Sequence, residues 1–225
     1  MTQVPRRVVR FALFSAAMIA AFSAAPRAQG QAEVDQHFLD AWTKQTHVDL
    51  GVPAVAGKVT IVKFNDWMCP GCKSAYETMK PIMAKYQPSV VYVEKDWPWN
   101  TKCNAGTKQT FQGHEASCDA AAAVRLAADK GKREAMVTWL FANQEGMTPE
   151  KVRAKTVEML GVKDFAAAYL TKLPDIRKDV ATGLAVQLNA TPTYFINGIR
   201  AADEEGRTIP IHYFELAIQY ELKKK

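Results

Sequence analysis

Long hydrophobic runs are missing from this chain. Its most apolar stretch, Phe11 to Phe22, falls short of the ~20 residues a membrane-spanning helix needs, which argues against a permanent anchor. Internal repeats and low-complexity tracts are also absent. With 48% apolar and 23% charged residues the composition is that of an ordinary folded domain and not of a disordered one. Cysteine is scarce, four in 225 residues, so the core does not depend on a dense disulfide framework. The cysteine spacing C-x2-C-x30-C-x14-C lacks the second C-x2-C or the paired histidines of common zinc sites, and no metal is expected. Charge of one sign is not in strong excess either. Of the net +6, Arg6, Arg7 and Arg10 lie at the extreme N-terminus and Lys223, Lys224 and Lys225 at the other end, so no nucleic-acid surface is expected.

What the N-terminus does carry is an address. Arg6-Arg7-Val8-Val9-Arg10 is a basic region, Phe11 to Phe22 an apolar one, and Ser23-Ala24-Ala25 a set of small residues at a cleavage point. This order predicts a cleaved signal peptide over residues 1–25 and a periplasmic or secreted mature protein. An exported chain meets an oxidising environment, where its cysteines can pair.

The chemistry concentrates in Asn65-Asp66-Trp67-Met68-Cys69-Pro70-Gly71-Cys72-Lys73. The β-branched run Val59 to Phe64 before it predicts a strand, and Ser74 to Tyr86 after it a helix. Two cysteines therefore sit where a strand turns into a helix. The first helical turn has unpaired N–H groups and partial positive charge, so a thiolate at Cys69 is favoured, and the thiolate is the nucleophile. Pro70 suits the first helical position, where its missing N–H costs nothing. Cys69 is the expected attacking sulfur and Cys72 the resolving one. Asp66 is expected to cap the helix or orient its loop. Trp67, Trp97 and Trp99 offer either an apolar surface for unfolded chains or core packing. Met68 beside Cys69 also suits a binding module gripping a soft ion or a client, an alternative to an enzyme.

Far along the chain stands Asn189-Ala190-Thr191-Pro192-Thr193-Tyr194-Phe195-Ile196-Asn197-Gly198. With the C-P-x-C pair after a strand, this segment resembles the thioredoxin superfamily, in particular its DsbA-like thiol-disulfide oxidoreductases. The resemblance implies an α/β, thioredoxin-like fold with a helical insertion, a cis Pro192 packed beside the redox pair, and Thr191 offering backbone hydrogen bonds to a bound peptide. It implies no cofactor. The expected units are an N-terminal helix and linker at 26–57, a first half at 58–103, a helical insertion at 104–174 and a second half at 175–225. In the insertion, Pro149 to Leu160 begins after the cap Thr148, and separate helices are expected over Asp164 to Leu170 and Asp175 to Leu188. Pro81 is expected to kink or split the redox helix.

Cys103 and Cys118 are expected to form a second disulfide tethering a loop to the insertion, either as a structural bridge or as a shuttle pair. A cysteine after the strand with His114 four residues before Cys118 resembles DsbA-like proteins found with bacterial vitamin K epoxide reductase homologues, which implies a quinone-linked membrane partner that recharges Cys69 and Cys72. His114 itself reads as a surface or capping residue. The substrates implied are unfolded or reduced proteins. With no dimerisation domain ahead of the unit, a monomer is expected. Two departures from the family stand out. Lys63 occupies a place where many thioredoxins have a buried carboxylate, and as a cation it favours thiolates, unless it snorkels to water. Gly71 stands where DsbA has a histidine. Oxidation is the expected direction, with reduction or isomerisation as the alternative.

Overall fold

The computed structural model describes residues 25–203 and 206–224; the expected signal peptide lies outside them except for Ala25. After α1 (Ala25–Trp42), the chain enters strand β1 (Val59–Asn65), helix α2 (Pro70–Tyr86) and strand β2 (Val90–Asp96). β1 and β2 pair in parallel, from Val59 opposite Val90 to Asn65 opposite Asp96. Four helices follow: α3 (Ser117–Ala128), α4 (Arg133–Ala142), α5 (Pro149–Leu160) and α6 (Phe165–Ala185). The hairpin β3 (Thr193–Ile196) and β4 (Ile199–Arg200) and the helix α7 (Ile211–Lys223) close the chain. The sheet order is β2-β1-β3-β4, with β3 antiparallel to β1. Among the described residues no helix is long and apolar enough to cross a membrane.

β1 is central and buried along nearly its whole length, which is why its apolar residues Val59, Ile61, Val62 and Phe64 fall on both faces without strict alternation. Ile61, Tyr194 and Ile196 pack on one face with Met79 and Ile82 of α2 and Phe214 and Ile218 of α7. Val62, Phe64 and Phe195 pack on the other with Val180 of α6 and with Trp97. At Gly183 of α6 a Cβ would lie 2.4 Å from the Trp97 ring, so only glycine lets the helix pass so close. The insertion has its own core of Met136, Val137, Leu140, Phe141 and Ile176, which reaches Trp67 and Cys72.

Several expected boundaries shift. α2 runs unbroken through Pro81. α6 runs unbroken through Pro174, so the two helices expected on either side are one, and the unit boundary expected at 174/175 falls inside it. The proline costs one backbone hydrogen bond, but the buried side chains of Ile176, Asp179 and Val180 anchor the turns beyond it. Asp179 accepts from Lys95 Nζ at 2.9 Å and from the Asp96 N–H at 3.0 Å, and it pairs with Arg125. Thr148 caps α5 by accepting from the Lys151 N–H, and Gly161 ends it in the left-handed conformation at φ 65°.

Candidate active site

Cys69 is the N-cap of α2, in an extended conformation with φ −77° and ψ 121°, and Pro70 opens the helix. Cys69 is half-buried and Cys72 buried; both are free thiols. The Thr191–Pro192 peptide bond is cis, and the Cys69 thiol donates to the Thr191 carbonyl at 3.3 Å. A Cβ on Gly71 would sit 3.4 Å from Pro192 Cδ and 3.7 Å from Cys69 Sγ, so glycine leaves the space over the sulfur open. Two points 122 residues apart in sequence thus meet at one sulfur.

The two thiols differ sharply. The Cys69 pKa is lowered from 9.0 to about 6. The largest cause is the hydrogen bond from the Cys72 thiol. Burial opposes it, the Thr191 side chain and the Cys72 N–H add to it, and the Asp66 charge works against it. Cys72 moves the other way, well above 9.0, because burial penalises its thiolate. Lys63 partly offsets that. Such a pair can exchange disulfides: Cys69 is a nucleophile and good leaving group at neutral pH, and Cys72 holds its proton.

Lys63 does not reach water. It is fully buried and pairs with Glu94 at 3.2 Å, its neighbour in the β1–β2 register, which also takes Arg133. A central strand covered on both faces leaves no path for snorkelling. Lys73 is exposed. Trp67 and Trp97 belong to the core at 2% and 1% exposure, so neither forms a surface for clients. Of these three tryptophans Trp99 alone is half-buried, and its indole N–H donates to the Thr191 hydroxyl at 2.9 Å. Met68 is buried, and among the described residues no group of histidine, cysteine and carboxylate side chains has a metal-holding arrangement.

Asp66 does not cap α2, whose N-cap lacks a side-chain hydrogen bond. It organises the loop instead. Its buried carboxylate accepts from the Met68 N–H at 2.8 Å, the Trp99 N–H at 2.7 Å and the Ser117 hydroxyl at 2.8 and 2.9 Å, and His114 Nδ1 lies 2.7 Å away. His114 is therefore no surface residue. Burial opposes its charge, but the hydrogen bond and charge of Asp66, with the charge of Cys69, hold its pKa above 6.5. A second contact invisible in the sequence is Gln144, whose amide donates to the carbonyls of Trp67 at 2.9 Å and Cys69 at 3.1 Å, clamping the redox loop to the insertion. Neither Gln144 nor Ser117 stands in a motif or a periodic pattern that would mark it.

Cys103 and Cys118 are joined in a disulfide, both buried. The bridge closes the loop that carries Phe111 and His114. Asn100 fastens the same loop, donating to the carbonyls of His114 at 3.1 Å and Glu115 at 2.9 Å.

A strand-turn-helix thiol pair beside a cis-proline loop, with helices inserted between the halves of the sheet, defines the class of thioredoxin-like proteins with a DsbA-type insertion. The chain matches the family described as Thioredoxin over residues 43–207 and belongs to it. Among solved structures it is similar to BdbD from Bacillus subtilis, at 17% identity over 80% of this chain and 97% of that one with a TM-score of 0.57. It is similar too to a DsbA variant from Pseudomonas aeruginosa, at 19% identity over 80% and 95% with a TM-score of 0.55. ScsC from Proteus mirabilis is 16% identical over 91% of this chain and 90% of that one, with a TM-score of 0.55. These likenesses are of fold. Among curated proteins, the Na(+)/H(+) antiporter NhaA 1 of Mycobacterium sp. (strain KMS) is 27% identical over 147 residues, 63% of this chain and 22% of the antiporter. The chain thus spans about a fifth of the length of the curated relatives it matches.

Proposed function

We propose that this protein is an exported thiol-disulfide oxidoreductase that introduces disulfides into reduced protein substrates through Cys69 and Cys72. A substrate thiolate attacks the Cys69 sulfur of the oxidised pair, the Cys69–Cys72 bond breaks, and Cys72 leaves with the electron pair and takes a proton. The substrate's second thiolate then attacks its own sulfur in the mixed disulfide, and Cys69 leaves as a thiolate. The observation that carries this reading is the depressed pKa of Cys69, about 6, which makes its thiolate a ready leaving group and stabilises the dithiol form of the protein at neutral pH, and hence favours the oxidation of its substrate. Cys72, raised well above 9.0, holds its proton once released. Thr191 and Pro192 are the proposed peptide-binding residues, because the Thr191 carbonyl lies against Cys69 and the Pro192 ring stands beside Gly71 in the same turn. Asp66 and Gly71 support them, by fixing the loop and by leaving the sulfur uncovered. Cys103–Cys118 is assigned a structural role on its burial. Turnover then needs a recharging oxidase, and a quinone-linked membrane partner of the vitamin K epoxide reductase type fits that need.

The test is single-turnover oxidation of a reduced dithiol peptide by the oxidised protein. One peptide disulfide should form for each Cys69–Cys72 pair reduced. Cys69→Ser should abolish the reaction, and so should Cys72→Ser, which has no internal disulfide to give up; in the reverse assay the Cys69 thiolate of Cys72→Ser should attack the disulfide of an oxidised peptide, release one peptide thiolate and remain as the unresolved mixed disulfide. Retention of client or soft-metal binding without any exchange in the wild type would make the chain a binding module instead.

A further inference from the structure

The redox turn is gripped at both ends. At its start, Ser117 of α3 and His114 hold the Asp66 carboxylate. At its end the grip comes from the loop between α4 and α5, where Gln144 Nε2 donates to the Trp67 carbonyl at 2.9 Å and to the Cys69 carbonyl at 3.1 Å. A primary amide has two N–H donors, and both are spent on the peptide groups that bracket Met68 and Cys69. Among the described residues nothing else donates to the Trp67 carbonyl. The Cys69 carbonyl also takes the N–H groups of Cys72 at 3.0 Å and Lys73 at 3.2 Å. Gln144 is itself held in place. The Met147 N–H donates to its backbone carbonyl at 3.2 Å, Met147 is buried in the core of the insertion, and Thr148 caps α5 just beyond.

Disulfide exchange asks for one direction at Cys69. The attacking sulfur, the Cys69 sulfur and the leaving sulfur must fall close to a line, and the Cys69 Cα–Cβ bond aims the middle one. That bond is set by the peptide planes on either side of Cys69, and a small misplacement of a reacting atom costs rate steeply. The plane before Cys69 is held by its N–H, which donates to the Asp66 carbonyl at 3.1 Å. Pro70 has no N–H, so the plane after Cys69 can be anchored only through its carbonyl. The first turn of α2 ties that carbonyl to the helix, and Gln144 ties it to the insertion. We propose that Gln144 is a positioning residue for disulfide exchange: by fixing the carbonyls of Trp67 and Cys69 it holds the redox turn in the shape that aims the Cys69 sulfur. The α4–α5 loop of the insertion is thereby part of the exchange machinery, acting through backbone and not on either sulfur. The inference rests on the exchange reaction proposed above.

Single-turnover oxidation of a reduced dithiol peptide, and separately of dithiothreitol, by the oxidised full chain tests it. Gln144→Met keeps the length of the side chain and removes both donors. Losing two neutral hydrogen bonds should cut the maximal rate about tenfold with either dithiol. The half-saturating peptide concentration should stay where it is, because the side chain aims a sulfur and does not hold the peptide. Gln144→Lys gives back donors for both carbonyls and should recover most of the rate. A merely structural clamp would lower the melting temperature of Gln144→Met and leave the rate, measured well below the melt, unchanged; that result overturns the proposal. So does a loss confined to half-saturation, or a Gln144→Lys variant that melts like the wild type and remains as slow as Gln144→Met. Without any variant, the two side-chain amide protons of Gln144 should exchange with solvent more slowly than those of the exposed Gln112, and equal exchange overturns the clamp. A wild type that oxidises neither dithiol would remove the exchange reaction and this role with it. A wild type that oxidises both, at a rate indifferent to Gln144, removes the positioning role alone.

Discussion

Titrating the reduced protein from pH 7 to pH 5 should cost it a definite amount of stability through one sulfur. Cys69 is lowered from 9.0 to about 6 in the folded protein. A group whose folded pKa is depressed stabilises the fold above its unfolded value, and that contribution is lost as the pH falls toward the folded value. The full three units correspond to ~4 kcal/mol, reached only above pH 9. At pH 7 the contribution is about 1.4 kcal/mol, and at pH 5 it is close to nothing. Cys72 does not disturb this window, because its pKa is raised above 9.0 and it remains a thiol in both states. His114 does titrate nearby, with its folded pKa raised above 6.5. Its contribution is present below that value and fades as the pH rises; the larger part, owed to Asp66, is shared with a Cys69→Ala variant, and only the smaller part owed to the Cys69 charge is not. The assay is therefore urea denaturation of reduced wild type and reduced Cys69→Ala at pH 5 and pH 7. The stability difference between them should grow by about 1.4 kcal/mol toward pH 7. A difference independent of pH, or one that grows toward pH 5, would refute the assignment of a depressed pKa to Cys69.

Replacing both Cys103 and Cys118 by alanine should lower stability by ~3 kcal/mol, the chain-entropy value for a loop of this size, while single-turnover peptide oxidation persists. Loss of peptide oxidation in a variant that still folds would make the bridge part of the redox path. Asp66→Asn should bring the His114 pKa down, since the carboxylate charge and hydrogen bond are what raise it, and histidine NMR titration reads the change directly. Lys63→Met should destabilise by about 2–4 kcal/mol in thermal melts, because it removes a buried cation from Glu94 and leaves that carboxylate to Arg133 alone. Unchanged melting would place the Lys63 ammonium in water.

The fold was legible where chemistry and backbone geometry coincide in a short segment. The run Val59 to Phe64, the turn through Cys69 and Cys72, and Thr191-Pro192 each state a local conformation, and their pairing across the chain pointed to one architecture. The loops were harder to read because their order comes from contacts between distant residues. Asp66 meets Ser117 and His114 across about fifty positions, and nothing in the residues around either end marks the meeting. Local rules also lost to packing at two prolines. Pro174 reads as a break by its missing N–H, yet the buried side chains of Ile176 and Asp179 hold α6 together. Lys63 shows the same limit in another form. Whether a strand lysine snorkels depends on how many faces of the strand are covered, which the hairpin β3–β4 and the inserted helices decide together. The register then sets Glu94 beside it.

The reduction potential of the Cys69–Cys72 pair, equilibrated against glutathione with Cys103 and Cys118 replaced, tests the proposed direction of exchange most directly. A protein whose thiolate form is stabilised as described should lie well above the thioredoxin value, toward the ~−120 mV of DsbA. A potential near ~−270 mV, as in thioredoxin, would contradict the account and make the protein a reductase.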